Sequence, residues 1–372
     1  MRNRMMAESV SSCGPVLVVS LYGKPSLAGG IRMEPLGRRS AQEHWGSRQG
    51  GMFALAPDER ARLSALVDEF CPNTVILEHV ALAGLLEAAP PAGMSVIFDM
   101  HNIESDLARR MAEAEPVWRF GRRRRMLDVA GRLAAAEQRI KGAASAIWVC
   151  SRQDQDRWKA LTGQDAYVVP NAIPPLAEAM PLRPRNGTIG PSLIFVGHLR
   201  YAPNRRAVQE LCSQVLPALR RAGADTHLTI AGRDPGRRVK RLAKPDVRIV
   251  PNATELSALL SEADITVIPL REGGGTRIKI LEAIASGVLV VATDLAVEGL
   301  ELEHGRHFIR AETGQQMADA VMGLIADPDR AQDMRDEARA FIMQRYSQAA
   351  VTNTIRRGLA AASRRSDAPA PA

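Results

Sequence analysis

Aromatic side chains make up only 4% of this 372-residue chain. That is too few for the stacking sets of single-stranded nucleic-acid binders, so no nucleic-acid partner is expected. Cysteine is scarce too: Cys13, Cys71, Cys150 and Cys212 are scattered, with no CxxC pair and no metal-ligand spacing. They imply neither a disulfide framework nor a metal site, and read as free thiols of a reducing compartment, Cys71 and Cys150 facing a core. No apolar run nears the ~20 residues of a membrane span. The start, MRNRMMAESVSSCG, lacks the apolar stretch of a secretory signal. A cytoplasmic protein is the expectation. Lysine is the last scarcity: six of the 49 basic residues, the rest arginine, at a net charge of +8. Arginine suits bidentate phosphate or carboxylate recognition. A basic balance fits a nucleotide, an anionic membrane or nucleic acid without choosing between them.

What is present is an alternation of short apolar runs and helix-period segments. The spacing predicts strands over 15–23, 30–36, 73–78, 95–100, 146–151 and 166–171. Helices are predicted at Pro57–Phe70, Ala81–Ala88 and 152–162, with a long Arg-rich region broken at Pro116 and Gly121 and ending near Lys141. Residues 1–14 read as a disordered start and 37–56 as loop. The stretch 172–190, with four prolines and no apolar period, reads as a linker. A second series then begins: strand 192–197, helix 203–221, strand 227–232, basic helix 235–243, strand 247–250 and a helix capped by Thr254. Strands around 265–270, 288–293 and 307–310 follow. A Thr313/Gln316 capping box opens one helix, Asp327-Pro328 opens another, and 351–362 forms the last before a tail from 363. The pattern reads as two doubly wound α/β domains, 15–171 and 191–362, with a ligand site in a cleft between them.

The stretch PLREGGGTRIKILEAIASG, residues 269–287, carries the chemistry. It joins a strand through Gly273, Gly274 and Gly275 to a helix, the setting in which backbone N–H groups cradle phosphate. At about 100° per residue Ile278, Ile280, Leu281, Ile284 and Ala285 form an apolar arc, while Lys279, Glu282 and Ser286 fall on the other side, away from the core. A solvated Lys–Glu pair behind an ordinary loop would share that pattern. The triple glycine and the Arg277/Lys279 doublet favour a site for phosphates and hydroxyls.

Four segments in order, FVGHLRYAPN (195–204), LTIAGRDP (228–235), GGGTRIKILEAIASG (273–287) and VVATDLAVEGL (290–300), resemble the donor domain of retaining GT-B glycosyltransferases of family 4. DMHNIESDLARR (99–110), CSRQDQDRW (150–158) and VVPNAI (168–173) extend the resemblance, which covers roughly 70 to 372. It implies a GT-B fold and metal-free transfer of a sugar, with retained configuration, from a nucleotide diphosphate sugar to a glycan or lipid-linked acceptor. No cofactor is implied beyond that donor. Glu282 matches the carboxylate on the ribose hydroxyls; Arg277 and Lys279 would meet the diphosphate, with Gly274, Gly275 and Thr276 in the same turn. Gly197 and His198 match the turn that approaches the phosphates, and Arg233 would reach the base or a phosphate. Asp99 and His101 match the catalytic cleft segment that contacts donor sugar and acceptor. Asn204 and Asn171 read as turn or cap residues.

Two departures qualify the match. Many members carry a second glutamate eight positions before the ribose carboxylate; Gly274 stands there, and Glu272 is the nearest substitute. The usual opening strand, glycine loop and helix are also missing. GKPSLAGG (23–30) lacks a following helix, so a shortened N-terminal domain is expected. The Arg run at 119–133 is either a solvated helix face or a peripheral contact with an anionic membrane. Besides transfer in cell-surface or exopolysaccharide synthesis, the sequence leaves open a nucleotide-sugar epimerase or hydrolase of the same fold, or a silent sugar-nucleotide-binding subunit.

Overall fold

The computed structural model describes residues 2–21, 26–37, 53, 55–88, 94–179, 192–253, 256–274 and 277–366. The chain divides into two units, Met1–Asn171 with Val351–Ala372, and Ala172–Ala350.

The first unit opens with helix α1 (Arg2–Ser11), where a disordered start was expected. Its low amphipathicity hides it from a periodicity reading. Burial of Met5, Met6 and Ser9, and of Arg2 in an ion pair, makes it helical through tertiary contacts rather than propensity. β1 (Leu17–Ser20) pairs parallel with β3 (Ile31–Pro35), and β2 (Ser26–Ala28) pairs antiparallel with β3 across Gly29-Gly30. The GKPSLAGG segment therefore ends in a hairpin, not a phosphate loop. Helix α2 (Pro57–Phe70) starts where Pro57 pre-sets the backbone and Glu59 accepts from the Ala56 N–H at 3.0 Å.

A parallel sheet follows in the order β4 (Thr74–Glu78), β5 (Ser95–Met100), β6 (Ala146–Val149) and β7 (Tyr167–Val168). β5 is buried throughout, as a strand covered on both faces must be. The segment expected to be an α-helix at 81–88 is a 3₁₀ run, Val80–Ala88. Between β5 and β6 lie α3 (Glu104–Glu113) and α4 (Phe120–Ala143). Pro116 separates them as expected, but Gly121 does not interrupt α4. Helix α5 (Arg152–Thr162) is capped by Ser151, whose hydroxyl accepts from Asp154 N at 3.1 Å.

The second unit runs through α6 (Pro175–Glu178), β8 (Ser192–Val196), α7 (Ala202–Glu210), a π segment (Leu211–Val215) and α8 (Leu216–Arg221). The helix expected over 203–221 thus contains a π bulge. β9 (His227–Gly232), α9 (Arg237–Lys240), β10 (Val247–Pro251), α10 (Leu256–Glu262) and β11 (Ile265–Ile268) continue it. Thr254, the expected cap of α10, lies outside the described residues. Next come α11 (Ile278–Ala285), β12 (Leu289–Ala292), α12 (Asp294–Val297) and β13 (Ile309–Arg310). Helix α13 (Gly314–Ala326) carries the Thr313/Gln316 capping box, and Asp327 caps α14 (Pro328–Tyr346).

All six strands are parallel in the order β10-β9-β8-β11-β12-β13. Counted within the unit this is 3-2-1-4-5-6, the Rossmann order, with its reversal between β8 and β11. Helix α15 (Gln348–Ser366) closes the chain, and from Val351 onward it belongs to the first unit. Tyr167 donates to Thr354 O at 3.1 Å, and Thr352 and Ser9 share a hydrogen bond at 3.0 Å. Side chains that pack across more than 180 residues decide this placement, which the expected boundary at 362 missed. Cys150 is buried as expected. Cys71 is exposed, because it sits at the left-handed C-cap of α2 (φ 48°), outside the core.

Candidate functional site

In a Rossmann-ordered sheet the strand reversal opens a crevice at the C-terminal strand ends, where two neighbouring loops turn to opposite faces. In the second unit those loops are the β8 turn, Gly197-His198, and the segment leaving β11, Leu270–Arg277. Gly232, at the end of β9 with φ 155°, comes so close to the β8 turn that any side chain would collide with the Gly197 carbonyl. Gly273 adopts φ 105°, and a Cβ there would lie 3.0 Å from the Tyr201 hydroxyl. The chain needs glycine at both points.

Into this corner α11 projects its first turn. Arg277 is buried, and its guanidinium donates to Gly274 O. Lys279 Nζ donates to Asn204 Oδ1 at 2.8 Å and lies 4.8 Å from the centre of the Phe195 ring. Asn204 also donates to His198 O at 3.0 Å, so it ties the β8 turn to the lysine. Asn204, expected to be a turn or cap residue, lies in the first turn of α7 and there meets Lys279. Tyr201, Pro203, Asn204, Glu272, Arg277 and Lys279 border a cavity of about 240 Å³. Glu272 pairs with Arg206 at 2.6 Å, and its buried Oε1 has no hydrogen-bond partner among the described residues.

The expected solvent-facing side of α11 is not there: Lys279 is half-buried beneath the β8 turn, and Ser286 is buried. Burial, reinforced by the Arg277 charge, pushes the Lys279 ammonium down to about 7. Burial alone pushes the Glu282 carboxyl up to about 7. His198 is exposed and meets Asp234 at 3.2 Å; the Arg233 side chain is also exposed. Gly275 and Thr276 lie outside the described residues.

The first unit gathers its polar residues at the same end of its own sheet. Asp99, on β5, is fully buried, and both its oxygens accept from Arg2, at 2.7 and 2.5 Å. Arg2 reaches on to Asn171 Oδ1 and Val169 O, each at 3.0 Å. Asp99 was expected to be catalytic; in the structure its carboxylate is fully buried and paired with Arg2. His101 remains partly exposed, with Nε2 buried, 3.7 Å from Asp99 Oδ2 and without a hydrogen-bond partner among the described residues. Burial lowers its pKa to about 4 against the opposing pull of Asp99, so the ring is neutral at pH 7.

His79 was overlooked in the sequence, although it follows β4 as His101 follows β5. It holds φ 105°, which is strained for a residue with a side chain. Its Nδ1 accepts from Ala81 N at 3.0 Å, and its Nε2 lies 3.3 Å from Glu104. Among the described residues no group of three or more His, Cys, Asp or Glu side chains is set to hold a metal ion.

Residues 190–327, which contain the β8 turn, the glycine turn and α11, match the family of glycosyl transferases group 1. Over that stretch the chain resembles the group 1 glycosyltransferases. It is 28% identical over 213 residues to phosphatidyl-myo-inositol mannosyltransferase of Mycobacterium leprae, covering 54% of this chain and 55% of that protein. It is 24% identical over 173 residues to an uncharacterized 44.6 kDa protein in the cps region of Klebsiella pneumoniae, covering 44% and 45%. The chain thus spans about half the length of the curated relatives it matches. Among solved structures, sucrose-phosphate synthase from Thermosynechococcus elongatus superposes with a TM-score of 0.69 at 16% identity, over 97% of this chain and 93% of that one. A glycosyltransferase from Rickettsia africae gives 0.68 at 12%, over 98% and 94%. Anabaena HepE, in complex with UDP-glucose, gives 0.64 at 15%, over 93% and 99%. At such identities the likeness is one of fold: the chain has the GT-B fold.

Proposed function

We propose that this chain is a retaining glycosyltransferase that moves a sugar from a nucleotide diphosphate sugar to a glycan or lipid-linked acceptor in cell-surface polysaccharide synthesis. The observation that carries this reading is the Arg277–Lys279 corner. Two cations lie beside a glycine turn, at the reversal of a Rossmann-ordered sheet, against a cavity. Among the described residues Lys279 has no carboxylate partner, only the Asn204 amide and an aromatic face. A buried ammonium held that weakly is suited to an incoming dianion. Arg277 and Lys279 take the diphosphate, joined by the backbone of Gly274, Gly275 and Thr276 and of the Gly197-His198 turn. As the bond from the anomeric carbon to the diphosphate breaks, charge builds on the leaving oxygen, and fixed cations stabilise it there. Glu282 accepts from the ribose hydroxyls, and Arg233 lies toward the base.

With no carboxylate at Gly274, Glu272 is the acid that faces the donor sugar, through its unpartnered Oε1. His101 serves as a neutral hydrogen-bonding group for the sugar, with Asp99 Oδ2 behind it at 3.7 Å from its Nε2. The position of the Klebsiella relative in a cps region supports a polysaccharide product, and the Mycobacterium relative supports sugar transfer as the chemistry.

Release of nucleoside diphosphate from a panel of UDP- and GDP-sugars tests the reading. Turnover that requires a glycan or lipid-linked acceptor is the expected result. Turnover without one would make the chain a hydrolase. Binding of UDP-glucose without any turnover would favour a sugar-nucleotide-binding subunit, the reading that Gly274 supports. A Glu282→Ala variant that binds donor nucleotide as tightly as the parent would remove the ribose assignment.

A further inference from the structure

The apolar and basic residues around the start of α4 fall outside the donor chemistry. Only the second half of α4 packs on the core, through Ala130, Leu133, Ala136, Glu137 and Ile140; no residue from Pro116 to Val129 is buried. Just before and at its first turn, Val117, Trp118 and Phe120 are 77%, 76% and 69% exposed. A lone exposed apolar residue is ordinary, but three large ones within four positions form a patch.

Arg119 lies over the Trp118 ring at 4.7 Å. The buried Glu115 takes Arg119 at 3.5 Å and Arg122 at 3.1 Å, which fixes the apolar tip against the helix start. Arg123, Arg124 and Arg125 have no acidic partner among the described residues; Arg125 donates to Gly121 O at 3.2 Å. At about 100° per residue, four consecutive arginines point to nearly every side of the helix. A flat protein partner or a single groove would engage one side of such a sleeve. A layer that surrounds the helix end engages all of it. Anionic lipid headgroups form such a layer, with apolar depth below them for the aromatic tip.

We propose that the Val117–Arg125 corner docks the first unit on an anionic lipid surface. Val117, Trp118 and Phe120 enter the headgroup boundary, and Arg122–Arg125 lie among the lipid phosphates. No described helix is long and apolar enough to cross a membrane, so the contact is peripheral. The inference does not depend on the donor reading, because its test requires no turnover.

Flotation of the full chain with vesicles of phosphatidylcholine, alone or mixed with phosphatidylglycerol, tests it. Binding is expected only with the anionic mixture, and is expected to weaken as salt rises. Changing Arg123, Arg124 and Arg125 together to Ala is expected to weaken it roughly 100-fold, at about fivefold for each charge. Trp118→Ser with Phe120→Ser is expected to weaken it about tenfold or more while the arginines remain. Neither variant removes a buried side chain, so both should melt with the parent. Nitroxide-labelled lipid should quench the parent's fluorescence more than that of Trp118→Phe. Equal flotation of parent and variants overturns the proposal, as does equal binding to both vesicle types. Binding to duplex DNA without vesicle binding also overturns it.

Discussion

Both units place polar residues at the C-terminal ends of a parallel sheet, yet they treat charge in opposite ways. In the first unit the buried carboxylate of Asp99 is closed off by Arg2. In the second, Lys279 and Arg277 lie beside a cavity, and among the described residues the lysine's one hydrogen bond goes to a neutral amide. The physical difference is between a pair that compensates its own desolvation and a cation whose desolvation stays largely uncompensated. The first arrangement holds a fold together. The second costs stability, a cost that on the proposed function is recovered as binding energy when an anion arrives. Similar sheets thus yield one closed ion pair and one weakly held cation.

The largest effect expected from this contrast is on the closed pair. Arg2→Ala should destabilise the first unit by about 3–5 kcal/mol in urea unfolding, because it leaves Asp99 buried and unpaired. Arg2→Met combined with Asp99→Leu should recover most of the loss. A small loss for Arg2→Ala would mean that α1 is held by Met5 and Met6 alone.

Lys279→Ala, at the open site, should leave folding intact or improve it while weakening UDP binding by about 2–3 kcal/mol in calorimetry. Unchanged affinity would break the contrast. Binding of UDP should also take up protons near pH 7, since a diphosphate restores the charge that burial suppresses on Lys279. Calorimetry in buffers of different ionisation enthalpy reads that uptake.

Next in size is a pH effect at Glu282. Its folded pKa of about 7 lies above the ordinary 4.5. The folded state therefore holds the extra proton between those values, and this group's stabilisation is lost as pH rises through that window. Glu282→Gln should flatten the decline between pH 4.5 and 7 by about 1–2 kcal/mol, after allowance for its partial exposure. An unchanged slope would place the carboxylate in solvent.

Thr313→Ala should cost about 1 kcal/mol of helix-cap stability without altering UDP affinity, separating scaffold from site.

Much of this was legible in the chain. Strands such as Ser95–Met100 and Ile265–Ile268 announce themselves as buried apolar runs, and the Thr313 and Asp327 caps fall where local chemistry puts them. The glycine turn with Arg277, Lys279 and Glu282 was visible as a candidate site. The misses are of another kind. Asn204 was read only as a turn residue because its partner, Lys279, stands 75 positions away. Asp99 was read as reactive because Arg2, 97 positions earlier, lies in a segment with little helical signature of its own. The tip at Val117–Phe120 escaped notice because the Arg run at 119–133 was read for its charge, and only packing shows that these apolar residues stay exposed.

The sequence by itself therefore determined the succession of strands and helices, the capped ends and the phosphate-suited turn, all written within windows of a few residues. Tertiary structure alone decided which charges meet. Sheet order and the return of α15 to the first unit bring together side chains far apart in the chain. Whether a buried charge is closed off, as Asp99 is, or left weakly held, as Lys279 is, depends on those distant neighbours, because desolvation and pairing are properties of place.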